Sequence, residues 1–244
     1  MAYQKGDFQY EGKAKKLFAV EGHTELVWME FKDNLTAFNG VKKGTFDNKG
    51  AINKQIAVMI FRHLATQGIS SHLLKDISER EFVCQKVAII PLEVVVRNCL
   101  AGSTAQKFAL AEGFSLEKPL VEFYYKKDEL NDPFISDDQA LMLKAVKDQE
   151  QLDQLKNQAL QVNRALMEFF AAIGIRLVDF KLEFGFNAKG DLVLADEITP
   201  DSCRLWDMKT NKKLDKDRFR RDLGQVEESY QEILNRMTGY WENQ

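Results

Sequence analysis

Hydrophobic and polar residues alternate along the first third of the chain in a pattern that predicts strands and one helix. The segments KLFAV and LVWMEF, with a short turn at residues 21–24 between them, predict two strands. From Lys49 to Gln67 apolar residues recur every three or four positions and Gly68 follows, so a helix is predicted there. EFVCQKVAII and LEVVVRN are β-rich with Pro91 between them, and the apolar run LEVVV favours a strand covered on both faces.

The later part of the chain mixes helices and strands. A short helix is predicted after Gly102, with Ser103 as its N-cap and Gly113 as its end. A longer helix follows, in which Asp148 and Gln151 resemble a capping box. Its heptad-like spacing also fits a coiled coil, but a helix packed on a sheet is the simpler interpretation in a β-rich chain. A last helix is predicted between residues 216 and 241. The prediction is a two-lobed α+β protein, with a β-rich lobe at residues 1–88 and an α/β lobe at residues 89–244.

The segment IRLVDFKLEFGF, a turn at residues 187–190 and DLVLADEIT form the clearest predicted hairpin. In its first strand apolar residues alternate with Asp179, Lys181 and Glu183, which therefore share one face. The apolar face explains why a strand forms, but not why the polar face carries two acids around a lysine. A solvent-exposed strand with ordinary surface charges is the alternative interpretation.

The return strand brings more acids toward this polar face. Turns centred on residues 188–189 or 189–190 place Asp196 opposite Lys181 or Glu183, and a shifted register would exchange it for Glu197. Acids that face one another across a sheet destabilise it unless a cation neutralises them. Mg²⁺ with carboxylate and phosphate oxygens is the natural neutraliser, so the hairpin predicts a magnesium site that also contacts phosphate.

Two other segments are candidates for binding phosphate. Gly12, Lys13 and Lys15 precede the first predicted strand, where glycine permits close backbone approach, although the segment is not a Walker A loop and also fits a solvated basic strand end. Arg97 ends LEVVV just before Gly102 and Ser103. An arginine beside a helix start would suit an anion, and an ordinary cap with a locally paired arginine is the alternative. Arg204 adds a second guanidinium near the hairpin acids in sequence.

Composition narrows the class of protein without defining its reaction. The 244 residues are 45% hydrophobic and 29% charged, with a formal net charge of -3, so no basic excess indicates nucleic acid or an anionic membrane surface. Three widely spaced cysteines without a CxxC motif favour a reducing cytoplasm, and we expect no membrane association and no nucleophilic cysteine.

Two motifs carry a resemblance to a known family. The segments Ile90–Ser103 (IPLEVVVRNCLAGS) and Leu177–Gly185 (LVDFKLEFG) are similar to the two signatures of the SAICAR synthetase family, and YEGKAKKLF, KKDELNDP, DEITPDSCRLWD and DKDRFR also match. The resemblance covers essentially the whole chain. Position 203 is Cys203 here, whereas serine is common there in the family.

The resemblance implies a reaction in which ATP, carboxyaminoimidazole ribonucleotide and L-aspartate give the succinocarboxamide, ADP and phosphate, with a carboxyl-phosphate intermediate. It implies a kinase-like or ATP-grasp-like fold with the nucleotide site between the two lobes, Mg²⁺ as cofactor and a possible homodimer. The residues it assigns fall into four groups: catalytic Lys181 and Asp179; ATP-binding Gly12, Lys13, Lys15, Lys126, Lys181 and Glu183; substrate-binding Arg97, Ser103 and Arg204; and metal-binding Glu183 and Asp196. The role of Asp179 is the least defined of these.

Two other functions fit the same residues. A kinase acting on a small hydroxylated metabolite would use the same site, and ADP release that does not depend on L-aspartate would identify it. A non-catalytic nucleotide-binding module is the second, and it predicts no turnover to lose on replacement of Lys181 or Glu183 with alanine.

Overall fold

The computed structural model describes residues 3–38 and 40–242. The chain divides into two compact units, each built from more than one segment. Unit 1 contains the described residues of Met1–Ile89, Gly185–Ala195 and Arg218–Gln244, and unit 2 contains Ile90–Phe184 and Asp196–Asp217. Among the described helices, none is long and apolar enough to cross a membrane.

Unit 1 is built on a five-stranded antiparallel sheet in the order β1-β2-β3-β7-β6. Its strands are β1 (Lys5–Glu11), β2 (Lys15–Val20), β3 (His23–Phe31), β6 (Leu73–Asp76) and β7 (Glu81–Gln85), with a separate hairpin of β4 (Asn34–Ala37) and β5 (Lys42–Thr45). Helix α1 (Lys49–Thr66) packs against β3 and against the C-terminal helix α6 (Val226–Glu242). The apolar side of α1 is fully buried at Ile56, Ile60 and Leu64, because it forms the core between helix and sheet.

Unit 2 contains the central strands of a second sheet, whose order is β10-β9-β8-β11-β12, with β13 also pairing with β11. The strands of this sheet are β8 (Ala88–Cys99), β9 (Ser115–Tyr125), β10 (Phe134–Ile135), β11 (Ile175–Phe186) and β13 (Cys203–Asp207), together with β12 (Leu192–Ala195), which lies in a segment of unit 1. Its helices are α2 (Gly102–Lys107), a 3₁₀ turn (Asp128–Leu130), α3 (Asp137–Met142) and α4 (Gln149–Ala172), and α5 (Asp217–Arg220) follows. Helix α4 packs on β9, with Leu152, Leu155 and Leu166 fully buried, so it is a helix on a sheet and not a coiled coil.

Most of the predicted elements are confirmed. The α+β fold class, the β2–β3 hairpin, α1, α4 and the hairpin of β11 and β12 all form where the pattern indicated. At the start of α4 the Asp148 side chain accepts from the Gln151 N–H, as predicted. The Gln151 side chain instead accepts from the N–H of Lys147, so the reciprocal half of the capping box is missing.

Three predictions about local structure are wrong. The short helix has Ala101 as its N-cap and ends at Lys107, so neither Ser103 nor Gly113 bounds it. Pro91 lies inside β8 and does not separate two strands. Proline has no backbone N–H to donate, but β8 begins to pair with β9 only at Leu92, so Pro91 does not interrupt that pairing. Within LEVVV only the alternate residues Leu92, Val94 and Val96 are buried, while Val95 is partly exposed, so one face of this segment is covered completely and the other in part.

The predicted C-terminal helix is also interrupted. Helix α5 ends at Arg220 and α6 begins at Val226. Asp222, Gly224 and Gln225 between them have positive φ angles of 54°, 65° and 51°, which a continuous α-helix excludes. The apolar residues on either side keep a helix-like spacing, and for this reason the sequence pattern concealed the break.

Candidate active site

Lys181 lies at the centre of a cluster of three carboxylates in unit 2. Its ammonium nitrogen Nζ is 2.6 Å from Glu183 Oε1, 3.1 Å from Asp196 Oδ2 and 3.2 Å from Glu93 Oε1. Lys126 Nζ is 2.9 Å from the same Glu183 oxygen. The cluster of these five side chains, called the lysine cluster below, has three carboxylates against two ammonium groups, a formal charge of −1.

Burial shows that these charges are not an ordinary strand surface. Glu183 is only 4% exposed, and Asp179 on the same face is also 4% exposed, so the interpretation as a solvent-exposed strand is wrong. Burial alone lowers the pKa of Lys181, but Asp196, Glu183 and Glu93 outweigh it and raise that pKa well above its ordinary value. Burial and Lys181 lower the pKa of Lys126, but Glu183 and Asp196 together outweigh them, so this pKa is also raised. Both lysines are therefore cationic at neutral pH.

The hairpin turn determines which acid reaches Lys181. The Gly190 N–H donates to the Asn187 carbonyl at 3.0 Å, and the Asn187 N–H donates to the Asp191 carbonyl at 3.0 Å, so the turn centres on residues 188–189. Asp196 follows β12 directly, has a φ of 59°, and its side chain contacts Lys181. Non-glycine residues rarely adopt the left-handed region, and those that do are concentrated at functional sites. The backbone conformation of Asp196 therefore makes it a functional candidate.

Asp179, which lies on the same strand as Glu183, belongs to a second cluster. We call it the arginine cluster, and it consists of Asp179, Arg97, Arg204, Glu122 and Asp217. Asp179 Oδ2 accepts from Arg97 Nη1 at 2.7 Å and from Arg204 Nη1 at 2.8 Å. Each arginine also contacts an acid of its own: Arg97 Nε donates to Glu122 at 2.7 Å, and Arg204 Nε donates to Asp217 at 2.9 Å. Asp179 and Glu183 are both on β11, but their carboxylates belong to two separate clusters.

Three neighbouring strands bring the two arginines together. Arg97 is on β8 and Asp179 on β11, and Asp179 pairs directly with Arg204 of β13. Burial lowers the pKa of each arginine, but the adjacent carboxylates outweigh it, so both pKa values lie above the ordinary value. The guanidiniums thus remain charged and fixed by hydrogen bonds although Arg97 is buried.

Gly102 and Ser103 lie where the sequence analysis expected an anion site. Arg204 Nη2 lies directly over Gly102, where an added Cβ atom would be 2.6 Å from it. Gly102 also has a φ of 57°, so both its conformation and the space favour glycine. Ser103 is exposed, and it is the second residue of a helix of only six residues. The structure therefore brings Arg97, Arg204 and the Gly102 segment into one region of unit 2.

Gly12, Lys13 and Lys15 form the turn between β1 and β2 in unit 1. The Gly12 N–H donates to the Lys15 carbonyl at 2.8 Å, and Lys32 Nζ donates to the Gly12 carbonyl at 3.2 Å. Lys13 is exposed, and the Lys15 ammonium lies 5.6 Å from the centre of the Phe31 ring. The turn thus presents a small backbone segment among several lysines.

Sequence reasoning missed Glu93, Glu122, Tyr124 and Asp217. Glu93 lies in the middle of the LEVVV strand, and its position opposite the apolar residues is the one local signal that could have identified it. Tyr124 accepts a hydrogen bond from Arg97 Nη2 at 3.1 Å and donates to Glu122 at 3.2 Å. Asp217 lies within the segment DKDRFR, but nothing local in the sequence connects it to Arg204.

The donor set of the lysine cluster suits a hard cation. Glu183 and Asp196 supply carboxylate oxygens within hydrogen-bonding distance of the same ammonium nitrogen, and carboxylates are preferred ligands of Mg²⁺. Across residues 3–38 and 40–242, no three His, Cys, Asp or Glu side chains converge in a geometry that could hold a metal ion. The two predicted ligands therefore fit a magnesium ion that completes its shell with water and phosphate oxygens.

A cavity of about 370 Å³ lies elsewhere in unit 2, lined by Asn98, Arg176, Met208 and neighbouring residues. Asn98 hydrogen-bonds with Asn163 of α4, at 2.8 and 2.9 Å. None of the site residues predicted from the sequence lines this cavity.

Comparison with known proteins supplies a family for this arrangement. The chain matches the family model described as SAICAR synthetase over residues 8–237. It is 52% identical over 234 residues to phosphoribosylaminoimidazole-succinocarboxamide synthase of Halalkalibacterium halodurans, covering 96% of this chain and 98% of that protein. It is 53% identical over 228 residues to the same synthase of Nautilia profundicola, covering 93% and 97%.

Solved structures agree over the same length. The crystal structure of the Ehrlichia chaffeensis synthase has a TM-score of 0.91 and 44% identity, covering 95% of this chain and 98% of that one. A SAICAR synthetase in complex with ADP also has a TM-score of 0.91, with 46% identity and coverage of 94% and 97%. A Saccharomyces cerevisiae SAICAR synthase complexed with SAICAR has a TM-score of 0.74 at 21% identity, a likeness of fold alone.

Proposed function

Because the chain belongs to the SAICAR synthetase family and is an ATP-dependent ligase of purine biosynthesis, we propose that its reaction is carried by the lysine cluster and the arginine cluster of unit 2. The substrates are carboxyaminoimidazole ribonucleotide, L-aspartate and ATP, and the products are SAICAR, ADP and phosphate. The observation that carries this proposal is the Lys181 ammonium, held among three carboxylates within a signature segment of the family.

The chemical problem is that a carboxylate is a poor electrophile. An oxygen of the substrate carboxylate attacks the γ-phosphorus of ATP, the bond to the bridging oxygen of ADP breaks, and a carboxyl phosphate forms. The aspartate amine then attacks the carboxyl carbon, phosphate leaves with one former carboxylate oxygen, and the amine loses a proton. The transferring phosphoryl group needs positioned positive charge and little covalent help.

Lys181 and Lys126 are the cations that contact the transferring phosphoryl group. Both are held as ammonium groups by Glu183, which prevents either from losing its proton during the reaction. Glu183 and Asp196 are the residues that would hold Mg²⁺, and the bound ion would neutralise charge on the phosphate oxygens. A lysine cluster with a formal charge of −1 binds a divalent cation favourably, whereas it would repel ATP on its own.

Gly12, Lys13 and Lys15 contribute to binding of the ATP phosphates. Glycine lets a phosphate approach the backbone closely, and the two lysines add positive charge beside it. Arg97, Arg204 and Ser103 bind the phosphate or carboxylate groups of the imidazole nucleotide. Asp179 is a positioning residue, because its one oxygen orients both guanidiniums.

An ADP-release assay tests the overall reaction. With ATP, Mg²⁺ and carboxyaminoimidazole ribonucleotide, ADP should form at turnover rates only when L-aspartate is also present. ADP release that does not depend on aspartate would instead identify a kinase. With ¹⁸O in the substrate carboxylate, one labelled oxygen should appear in the released phosphate. Unlabelled phosphate would exclude the carboxyl-phosphate intermediate.

A further inference from the structure

Each arginine of the arginine cluster is clamped between a shared acid and an acid of its own. Arg204 donates through Nη1 to Asp179 and through Nε to Asp217, and its Nη2 lies over the Cα of Gly102. These contacts fix the orientation of the guanidinium, because Nε and Nη1 donate in different directions from the same planar group. Asp217 is 1% exposed, so its bond to Arg204 is not diluted by water.

Asp217 is itself held by a short backbone framework. The buried Asp215 accepts from the Leu205 N–H at 2.8 Å and from the Asp217 N–H at 2.8 Å. Leu205 is the residue after Arg204 on β13. Asp215 therefore joins the segment that carries Asp217 to the strand that carries Arg204, and this sets the distance between the two side chains.

Arg97 is held in a parallel way on the other side of Asp179. Glu122 accepts from its Nε at 2.7 Å, and the Tyr124 hydroxyl accepts from its Nη2 at 3.1 Å. Both residues are on β9, which pairs with β8 beside Arg97. Arg97 and Arg204 therefore each have an outer acid, Glu122 for Arg97 and Asp217 for Arg204.

The charge of this cluster shows what the clamps can do. Two guanidiniums stand against Asp179, Glu122 and Asp217, a formal charge of −1 for the five side chains. Net charge cannot make such a cluster attract an anionic nucleotide. Binding must depend on N–H groups aimed at the ligand, as in bidentate recognition of phosphate and carboxylate by arginine, and that depends on orientation.

We propose that Asp217 and Glu122 are positioning residues for the imidazole nucleotide, holding Arg204 and Arg97 so that their remaining N–H groups face it. This inference rests on the proposed function, in which the two arginines bind that substrate. It assigns roles to two acids outside the signature strand LVDFKLEFG. It also explains the glycine at position 102, because any side chain there would collide with the oriented Arg204.

The test separates orientation from charge. If binding depends on orientation, Asp217→Ala raises the KM for carboxyaminoimidazole ribonucleotide at least 10-fold and leaves the KM values for ATP and L-aspartate within about 2-fold. Asp217→Asn, which keeps an acceptor oxygen, shows a smaller rise in the same KM. If net charge decides, both substitutions lower that KM, because each removes a negative charge; a lower or unchanged KM therefore overturns the proposal.

A double-mutant comparison identifies the residue through which Asp217 acts. In an Arg204→Ala background, Asp217→Ala should add less than 2-fold to the KM for the nucleotide, since the group it orients is gone. An undiminished further rise would overturn the proposal, and so would an equal rise in all three KM values. Glu232→Ala, which removes an acid paired with Arg236 on α6, is the matched control and should leave all three unchanged.

If Asp217→Ala does not fold, two other variants still test the proposal. Glu122→Gln should raise the same KM through Arg97, and Asp217→Asn retains the shape of the side chain. Wild-type enzyme is assayed first with all three substrates. Absence of ADP release there contradicts the proposed function, whereas wild-type turnover with unchanged nucleotide KM in both variants contradicts the positioning role alone.

Discussion

Replacing Lys181 with methionine removes the cation at the centre of the lysine cluster. Glu93 and Asp196 lose the ammonium group that lies within about 3 Å of each, and Glu183 keeps only Lys126. Breaking a buried ion pair costs about 3–5 kcal/mol, because one charge stays buried without its partner. The Lys181 side chain is 25% exposed, so we expect a cost at or just below the lower limit of that range, about 2–3 kcal/mol.

This cost should be visible as a lower melting temperature. For a chain of this length about 1 kcal/mol corresponds to roughly 2–4 °C, so the Lys181→Met variant should melt roughly 4–12 °C below the wild type in EDTA at pH 7. Added Mg²⁺ should raise the melting temperature of the variant more than that of the wild type, since its carboxylates lack an internal cation. ADP release should fall about 100-fold or more, because a donor aimed at the transferring group is lost.

A matched substitution on the surface of the same unit tests the reasoning. Lys156 pairs with Asp137, both roughly one-third exposed, and exposed pairs contribute about 0–1 kcal/mol. Lys156→Met should therefore shift the melting temperature by no more than roughly 3 °C and leave turnover unchanged. Equal shifts in the two variants would refute the argument that Lys181 neutralises buried acids.

Three further predictions concern other parts of the chain. Gly12→Ala should fold normally, because its Cβ would lie no closer than 3.4 Å to another residue, but it should raise the KM for ATP. Gly185→Ala should lower the free energy of unfolding by about 1–3 kcal/mol, because its Cβ would lie 2.8 Å from a backbone carbonyl. Equal stability of the two variants in urea would contradict this. Burial raises the pKa of Asp215 to about 7 from 3.8, so between pH 4 and 7 the folded state retains a proton that the unfolded chain releases. The free energy of unfolding should therefore decline between pH 4 and 7. Urea titrations over this pH range should show the decline in the wild type and not in Asp215→Asn. Burial also raises the pKa of Cys84 to about 12 and that of Cys203 further. Neither thiol should therefore react with a disulfide reagent at pH 8 until the protein is unfolded. Rapid labelling of these two cysteines in the native protein would contradict this.

The amino-acid sequence by itself determined the elements whose signal is local. The spacing of Ile56, Ile60 and Leu64 predicts α1 because one helix face must bury apolar groups, and the structure buries all three. The period of two in β11 placed Asp179, Lys181 and Glu183 on one face for the same reason. The signatures indicated the family, and the comparisons confirm it.

Only the tertiary structure decided which charges meet. Glu93 reaches Lys181 from β8, and Asp217 reaches Arg204 from beyond β13, and no periodicity links such distant positions. The alternation in β11 predicted a shared face but not that Asp179 joins one cluster and Glu183 another, because that depends on neighbouring strands. The break at residues 221–225 was invisible for a related reason: local spacing fits a continuous helix, and backbone angles with positive φ leave no trace in the hydrophobic pattern.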